Sequence, residues 1–290
     1  MQYNNFPEVV SNLISSLVNS LLTSIDSNIF SVLDELAFLK SSSITGTYFS
    51  AFFTKQFSII SLSEALVIGF LLYYSIAYLF SFLTCSNFQK PLSFVTRLFF
   101  AAFLIHFSLD ICEKIIDFFY LLSDILKSLG FSIFSINISF SVMYDKLKDI
   151  FFSDISTAFV FFSFDGLLKS FLSICFVNLL FSYAVRFIFV KILVLFSPLA
   201  LLSLCLEQTT WIFKIWLKNF ISQLVTQLVI CIILLIVFSF KSTADPTITK
   251  LLYVASVVCL MKASSFVKDF SSGFTSDVSV SVSSIKSLFS

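Results

Sequence analysis

Apolar residues near the amino-terminal end recur every three to four positions: Phe6, Val10, Leu13, Leu17, Leu21, Ile25, Ile29, Leu33 and Ala37. Asn12, Ser15, Ser16, Asn19, Ser20, Thr23 and Ser24 fill the opposite face. The spacing predicts an amphipathic helix from Phe6 to Phe38, broken at most once. Helices that lie on anionic lipid carry cations on the polar face, and this one has no Lys or Arg before Lys40. Its expected neighbour is therefore its own bundle or another subunit.

Beyond it the period gives way to continuous apolar runs. Ala65–Leu83, ALVIGFLLYYSIAYLFSFL, holds nineteen uncharged residues, a helix about 28 Å long at 1.5 Å per residue, close to the hydrocarbon thickness of about 30 Å. A second run is Pro91–Leu109, and a third is Leu167–Val185 with Lys169 at its outer edge. Ile192–Leu206 is shorter, Phe220–Phe240 is strong, and Leu251–Val267 is interrupted by Lys262. The pattern predicts an all-α polytopic membrane protein with about five transmembrane helices and room for a sixth. Whether 192–206 and 251–267 cross fully is left open.

Two weaker signals lie between the second and third runs. Cys112, Ile115, Ile116, Phe119, Leu122, Leu126 and Leu129 mark another amphipathic helix, which Gly130 is placed to end. Phe134–Val142, FSINISFSV, alternates apolar and polar residues with the period of a strand. A strand there needs a partner, either a hairpin within the segment or an edge on another chain. Five regions result: an amphipathic helical region over 1–60, two transmembrane helices over 61–109, a loop with an amphipathic helix and a strand-like segment over 110–166, a membrane helix cluster over 167–267, and a polar Ser-rich tail over 268–290.

Composition agrees. Of 290 residues 58% are hydrophobic and 12% charged, about half the charge of a typical soluble domain, and the mean hydropathy is +1.00. With 41 Phe among them, much of the surface is expected to face lipid. The net charge of +1 gives no overall field toward nucleic acid. The six Cys are scattered without a C-x-x-C pair and read as small hydrophobes. The first thirty residues lack the basic region and cleavage site of a signal peptide, so the internal spans are expected to direct insertion.

Lys and Arg in short loops set orientation. Lys90 and Arg97 at one turn, and Arg186 and Lys191 at another, place both turns on the cytoplasmic side. The amino terminus and residues 110–166, with eight acids against four Lys, then lie outside.

Three features stand out chemically. Arg186, Lys191 and Pro198 sit within one hydrophobic stretch, RFIFVKILVLFSPLALLSL. If a helix ends there, the cations lift their charge to the headgroups, and the kinked run after them walls a protein interior, a re-entrant turn or a subunit contact. Trp211, Phe213 and Trp216 with Lys214 and Lys218 form an interfacial belt pattern. Gln223 and Gln227 share one helix face and read either as helix–helix glue or as the lining of a hydrated conduit.

Catalysis has little to work with. His106 is the sole histidine, no H-E-x-x-H or phosphate-binding Gly-rich loop occurs, and no cofactor or metal is implied; the chain is expected not to be an enzyme. A small-solute permease should show several intramembrane ionisable groups or paired broken helices, and only Pro198 clearly qualifies. It and a purely structural membrane protein are the alternatives.

The motif R-x-x-x-x-K-I-L-x-L-x-S-P-L-A, here Arg186, Lys191, Ser197, Pro198, Leu199 and Ala200, is followed by F-K-x-W-x-x-x-F at Phe213, Lys214, Trp216 and Phe220. Over about 60 residues this resembles the TrbL-like polytopic membrane subunit of bacterial type IV secretion and conjugation machines. The external amino terminus, two spans, outer loop and later span cluster fit that plan. The scarcity of glycine and the short external segment depart from it. The resemblance implies a homo-oligomeric channel or scaffold subunit in the cell membrane. It would work with other secretion subunits, including cytoplasmic ATPases, and meet DNA or protein cargo only in transit.

Overall fold

The computed structural model describes Ser16 and residues 27–54, 58–84, 91–152, 164–240 and 246–288. Every regular element among them is helical: α1 (Ser27–Ala37), α2 (Ser41–Ile44), α3 (Thr47–Thr54), α4 (Ile59–Thr84), α5 (Pro91–His106), α6 (Ser108–Phe134), α7 (Phe140–Phe152), α8 (Phe164–Leu195), α9 (Ser197–Leu202), α10 (Thr210–Ser239) and α11 (Pro246–Leu288). Two single 3₁₀ turns, Ser203–Cys205 and Glu207–Thr209, link α9 to α10. Most of the predicted amino-terminal helix lies outside the described residues; its last part is α1.

Among the described residues, four stretches are long and apolar enough to cross a membrane: Phe49–Ser81, Phe164–Leu195, Thr210–Ser239 and Thr247–Phe270. The helices Pro91–His106 and Ser108–Phe134, bent by 64° at Phe107, count as a fifth only together. The chain thus has the make-up of a multi-pass membrane protein. Its helices face different surroundings. Only 11% of the most apolar window of Phe49–Ser81 is buried, against 56% of that in Thr210–Ser239.

Hydroxyl side chains would be expensive in such helices without partners. Several of them return their protons to the preceding turn of their own helix. Ser63 donates to the Ile59 carbonyl at 2.8 Å, Ser75 to Leu71 at 2.8 Å, Thr96 to Leu92 at 2.9 Å and Ser170 to Gly166 at 2.9 Å. A Ser-rich sequence thereby remains compatible with apolar surroundings.

The chain divides into two packed units. One takes Met1–Phe38, Tyr120–Phe187 and Val225–Ser290. Its core joins Phe30 and Leu33 of α1, Phe140, Met143 and Leu147 of α7, Leu179 and Tyr183 of α8, Leu234 of α10 and Leu260 of α11. Phe30 stacks on Tyr144 at 4.1 Å between centroids and meets Phe176 edge-on at 5.4 Å. The other unit takes Leu39–Phe119 and Ile188–Leu224. There Ala101 and Ile105 of α5 pack with Leu201, Leu202 and Cys205, and Tyr74 of α4 stacks on Phe94 of α5 at 3.8 Å.

Several expectations need correction. The strand-like segment over Phe134–Val142 does not form. Phe134 ends α6, Phe140 starts α7, and 135–139 is an irregular connection. The alternation is real as burial, with Ile138 and Phe140 in the core and Ser135 and Asn137 exposed, but the ladder is pre-empted by capping. Ser139 accepts a hydrogen bond from the Val142 amide at 3.2 Å, which starts a helix there. Gly130 does not end α6 either. The helix continues to Phe134, and the left-handed residue that follows it is Ser135, with φ 53°. A Cβ at Gly130 would collide with Ile138 and, at 2.6 Å, with Leu235, so this glycine serves close approach.

Ile192–Leu206 is no separate span. Its first residues complete α8, which runs unbroken through Arg186 and Lys191, and the rest forms α9 and a 3₁₀ turn. The second predicted span likewise gives way to the sixteen-residue α5 and the bend at Phe107. The backbone of the Ser-rich tail continues α11 as far as Leu288.

Candidate functional site

Arg186 lies in mid-helix, nine residues before the end of α8, so it is not the boundary cation that the sequence pattern implies. It is 4% exposed, and its Nη1 donates to the carbonyl of Ala37 at 2.9 Å. Ala37 is the last residue of α1. The carbonyls of a final helical turn have no acceptor role within the helix and carry the negative end of its dipole, so a guanidinium is well matched to that position. One turn earlier on α8, the Tyr183 hydroxyl donates to the Leu260 carbonyl of α11 at 3.1 Å.

Two further charged side chains hold the same short segment. Asp34 of α1 accepts from the Phe140 amide at 2.9 Å through Oδ1 and from the Ser141 hydroxyl at 3.1 Å through Oδ2. It thus caps α7 from outside, beside that helix's own cap Ser139. Burial raises the Asp34 carboxyl above its ordinary value of 3.8, while the Phe140 amide, the Lys127 charge and Ser141 pull against that rise. The Lys127 ammonium sits 3.3 Å from the centroid of the Phe38 ring, a cation–π contact. Arg186, Asp34 and Lys127 together fix Ser27–Phe38 to α6, α7 and α8. Sequence reasoning missed Asp34 and Lys127. The signal for Asp34 was weak: the only acids of the amphipathic stretch after Asp26 are Asp34 and Glu35, near its end.

The rest of the motif folds in the other unit. Pro198 stands in the first turn of α9, where a missing N–H removes no helical bond. The discontinuity with α8 falls at Phe196. A donor for the end of α8 comes from Trp216, whose Nε1 gives its proton to the Leu193 carbonyl at 2.8 Å. Trp216 also stacks on Phe220 at 5.4 Å and lies 5.9 Å from the Phe213 ring. Ser197, Pro198, Ala200, Leu201 and Leu202 are all buried, and the Ser197 hydroxyl has no hydrogen-bond partner there. Lys191 is half-buried, 6.0 Å from the Phe49 ring. Lys214 is exposed on the first turns of α10.

Seven sequence-selected motif residues therefore separate into Arg186 in one unit and Lys191, Ser197, Pro198, Phe213, Lys214 and Trp216 in the other. Gln223 and Gln227 of α10 are buried at 5% and 0% exposure, with Ser222 and Thr226 beside them. Among the described residues, Cys112, Cys175, Cys205 and Cys231 are buried thiols, and no group of His, Cys, Asp and Glu has the makings of a metal site. The arrangement has the means to anchor, cap and pack helices. No family model matches the chain, and no curated protein matches it.

Proposed function

We propose that this chain is a multi-pass membrane subunit of a type IV secretion or conjugation machine. It forms a homo-oligomeric channel or scaffold with other secretion subunits and cytoplasmic ATPases, and nucleic acid or protein cargo passes without lasting contact. The amino terminus and residues 110–166 face outward in this reading. The chain performs no catalysis of its own.

The observation that carries the reading is the packing of the motif residues. Ser197–Leu202 is a buried short helix between two long apolar ones, and Trp216 and Pro198 serve that break directly. Ser197, Pro198 and Trp216, three of the residues selected by resemblance, thus share a structural task in this chain. Support also comes from the outer helices. Leu72, Leu79, Phe80 and Leu83 of α4 are exposed, as are Phe118, Leu121, Ile125, Leu129 and Ile133 along one side of α6. Surfaces of that extent call for lipid or neighbouring subunits.

Isolation of the tagged full-length protein from its native membrane in mild detergent tests the proposal. Co-purification of nucleotide-hydrolysing subunits, with loss of transfer on Pro198→Leu, is the expected result. A chain that purifies alone and takes up small solutes in vesicles would refute it.

A further inference from the structure

Two helix breaks in the second unit carry the same dipeptide. Phe107–Ser108 separates α5 from α6 at the 64° bend, and Phe196–Ser197 separates α8 from α9. In each the Phe lies outside both helices and the Ser opens the next one. The backbone treats the two Phe residues alike. The Phe107 amide donates to the Phe103 carbonyl at 3.3 Å and its carbonyl accepts from the Ile111 amide at 3.0 Å; for Phe196 the partners are Ile192 at 2.9 Å and Ala200 at 3.0 Å.

The serines that follow are both 0% exposed. Ser63, Ser75 and Ser170 return their protons to the preceding helical turn. The hydroxyls of Ser108 and Ser197 have no hydrogen-bond partner at all. The breaks explain the difference. The carbonyl four residues before Ser197 is that of Leu193, which already accepts the Trp216 Nε1 proton at 2.8 Å. Before Ser108, the 64° bend takes the end of α5 off the axis of α6, so no preceding turn continues into the new helix.

The two hydroxyls belong to one place in the fold. Cys112 stands one turn after Ser108 on the same face of α6, and its side chain lies against Ser197 of α9. Beside them Ala101 and Ile105 of α5 pack with Leu201 and Leu202 of α9. The first amides of α6 also lack acceptors within their helix. Polar groups enclosed in this way are costly unless something bonds to them. Each hydroxyl both donates and accepts, and water does the same, satisfying two of them at once. An anion suits the place less well, because Asp110 already brings negative charge to the first turn of α6.

We infer that the paired breaks at Phe107 and Phe196 form a buried water site, in which bound water is hydrogen-bonded between the hydroxyls of Ser108 and Ser197. The site rests on packing within this unit and is independent of the secretion reading.

Hydroxyl-radical labelling of the full-length chain in detergent by a brief X-ray pulse, read by mass spectrometry, provides the test. Radicals formed from bound water oxidise the side chains that touch it, and thiols are readily oxidised. Cys112 and Cys205 are each 1% exposed and lie in the same unit. Near Cys205, the Ser203 hydroxyl is already bonded to the Ala200 carbonyl at 2.6 Å, which makes Cys205 the dry reference. Cys112 of the wild type should oxidise at least ~10-fold faster than Cys205 if water is held beside it. The double variant Ser108→Ala, Ser197→Ala should bring Cys112 down to the rate of Cys205. Equal rates in the wild type, or a folded double variant in which Cys112 reacts as before, overturns the inference. If the double variant does not fold, the wild-type ratio decides together with thermal melts of the two single variants. Deleting a hydroxyl bonded to water lowers Tm, whereas deleting a dry one without partners raises it, so two single variants more stable than wild type overturn the inference as well.

Discussion

Arg186 on α8 donates a hydrogen bond to the carbonyl of Ala37 at 2.9 Å, joining positions 149 residues apart. The contact explains why a chain so poor in charge keeps a guanidinium within a hydrophobic helix. A buried cation is costly alone, but here it meets the negative end of α1. Replacement by Leu removes that donor and should cost about 1–3 kcal/mol locally. Hydrogen exchange over Ser27–Phe38 should accelerate at least ~10-fold in Arg186→Leu, and less in Arg186→Lys, which keeps the charge but not the planar fork. Unchanged exchange in both variants would remove the clamp.

Asp34 gives a pH signature. Its carboxyl titrates above 3.8 in the fold, chiefly because burial penalises the charged form. Between 3.8 and that raised value the folded chain holds more protons than the unfolded one, so stability falls as pH rises through the window. Asp34→Asn keeps an acceptor for the Phe140 amide and should flatten this dependence in thermal melts from pH 4 to 7. Asp34→Ala uncaps α7 and should destabilise by about 1–2 kcal/mol. An Asn variant with the same pH slope as wild type would contradict the assignment.

At Gly130 the added methyl group of Ala would strike Ile138 and Leu235. Overpacking of this kind costs about 1–3 kcal/mol, although helix propensity alone favours Ala over Gly. Gly130→Ala should therefore lower the melting temperature, and Ile138→Ala combined with it should be less destabilising than the sum of the two. Additivity within about 0.3 kcal/mol would mean that the sites are independent.

Trp216→Phe isolates one hydrogen bond. Stacking against Phe220 survives in such a variant, whereas the Leu193 carbonyl loses its donor. The expected loss is about 1 kcal/mol, measured by thermal melts in detergent, and Trp211→Phe, at an exposed position, should be neutral. Equal effects at the two tryptophans would contradict the role given to Trp216.

The sequence disclosed the helical class and most apolar helices because uncharged length is a strong signal. It failed where polar partners decide. Phe134–Val142 alternates like a strand, yet Ser139 and the distant Asp34 divert its amides into a helix start, and no local pattern contains Asp34. Arg186 and Lys191 look like a helix end because cations usually stop apolar runs. The end is instead at Phe196, and α1 supplies Arg186 with a carbonyl from far away in the chain. Pro198 and Trp216 were legible as special residues. Their joint service to the break after α8 was not, since it needs the return of α10.

Alkaline carbonate extraction of membranes containing the full-length chain bears most directly on the idea that lipid covers its outer helices. The account predicts that the protein stays in the membrane pellet and is released only by detergent. Recovery in the carbonate supernatant as a dispersed, folded monomer would contradict it.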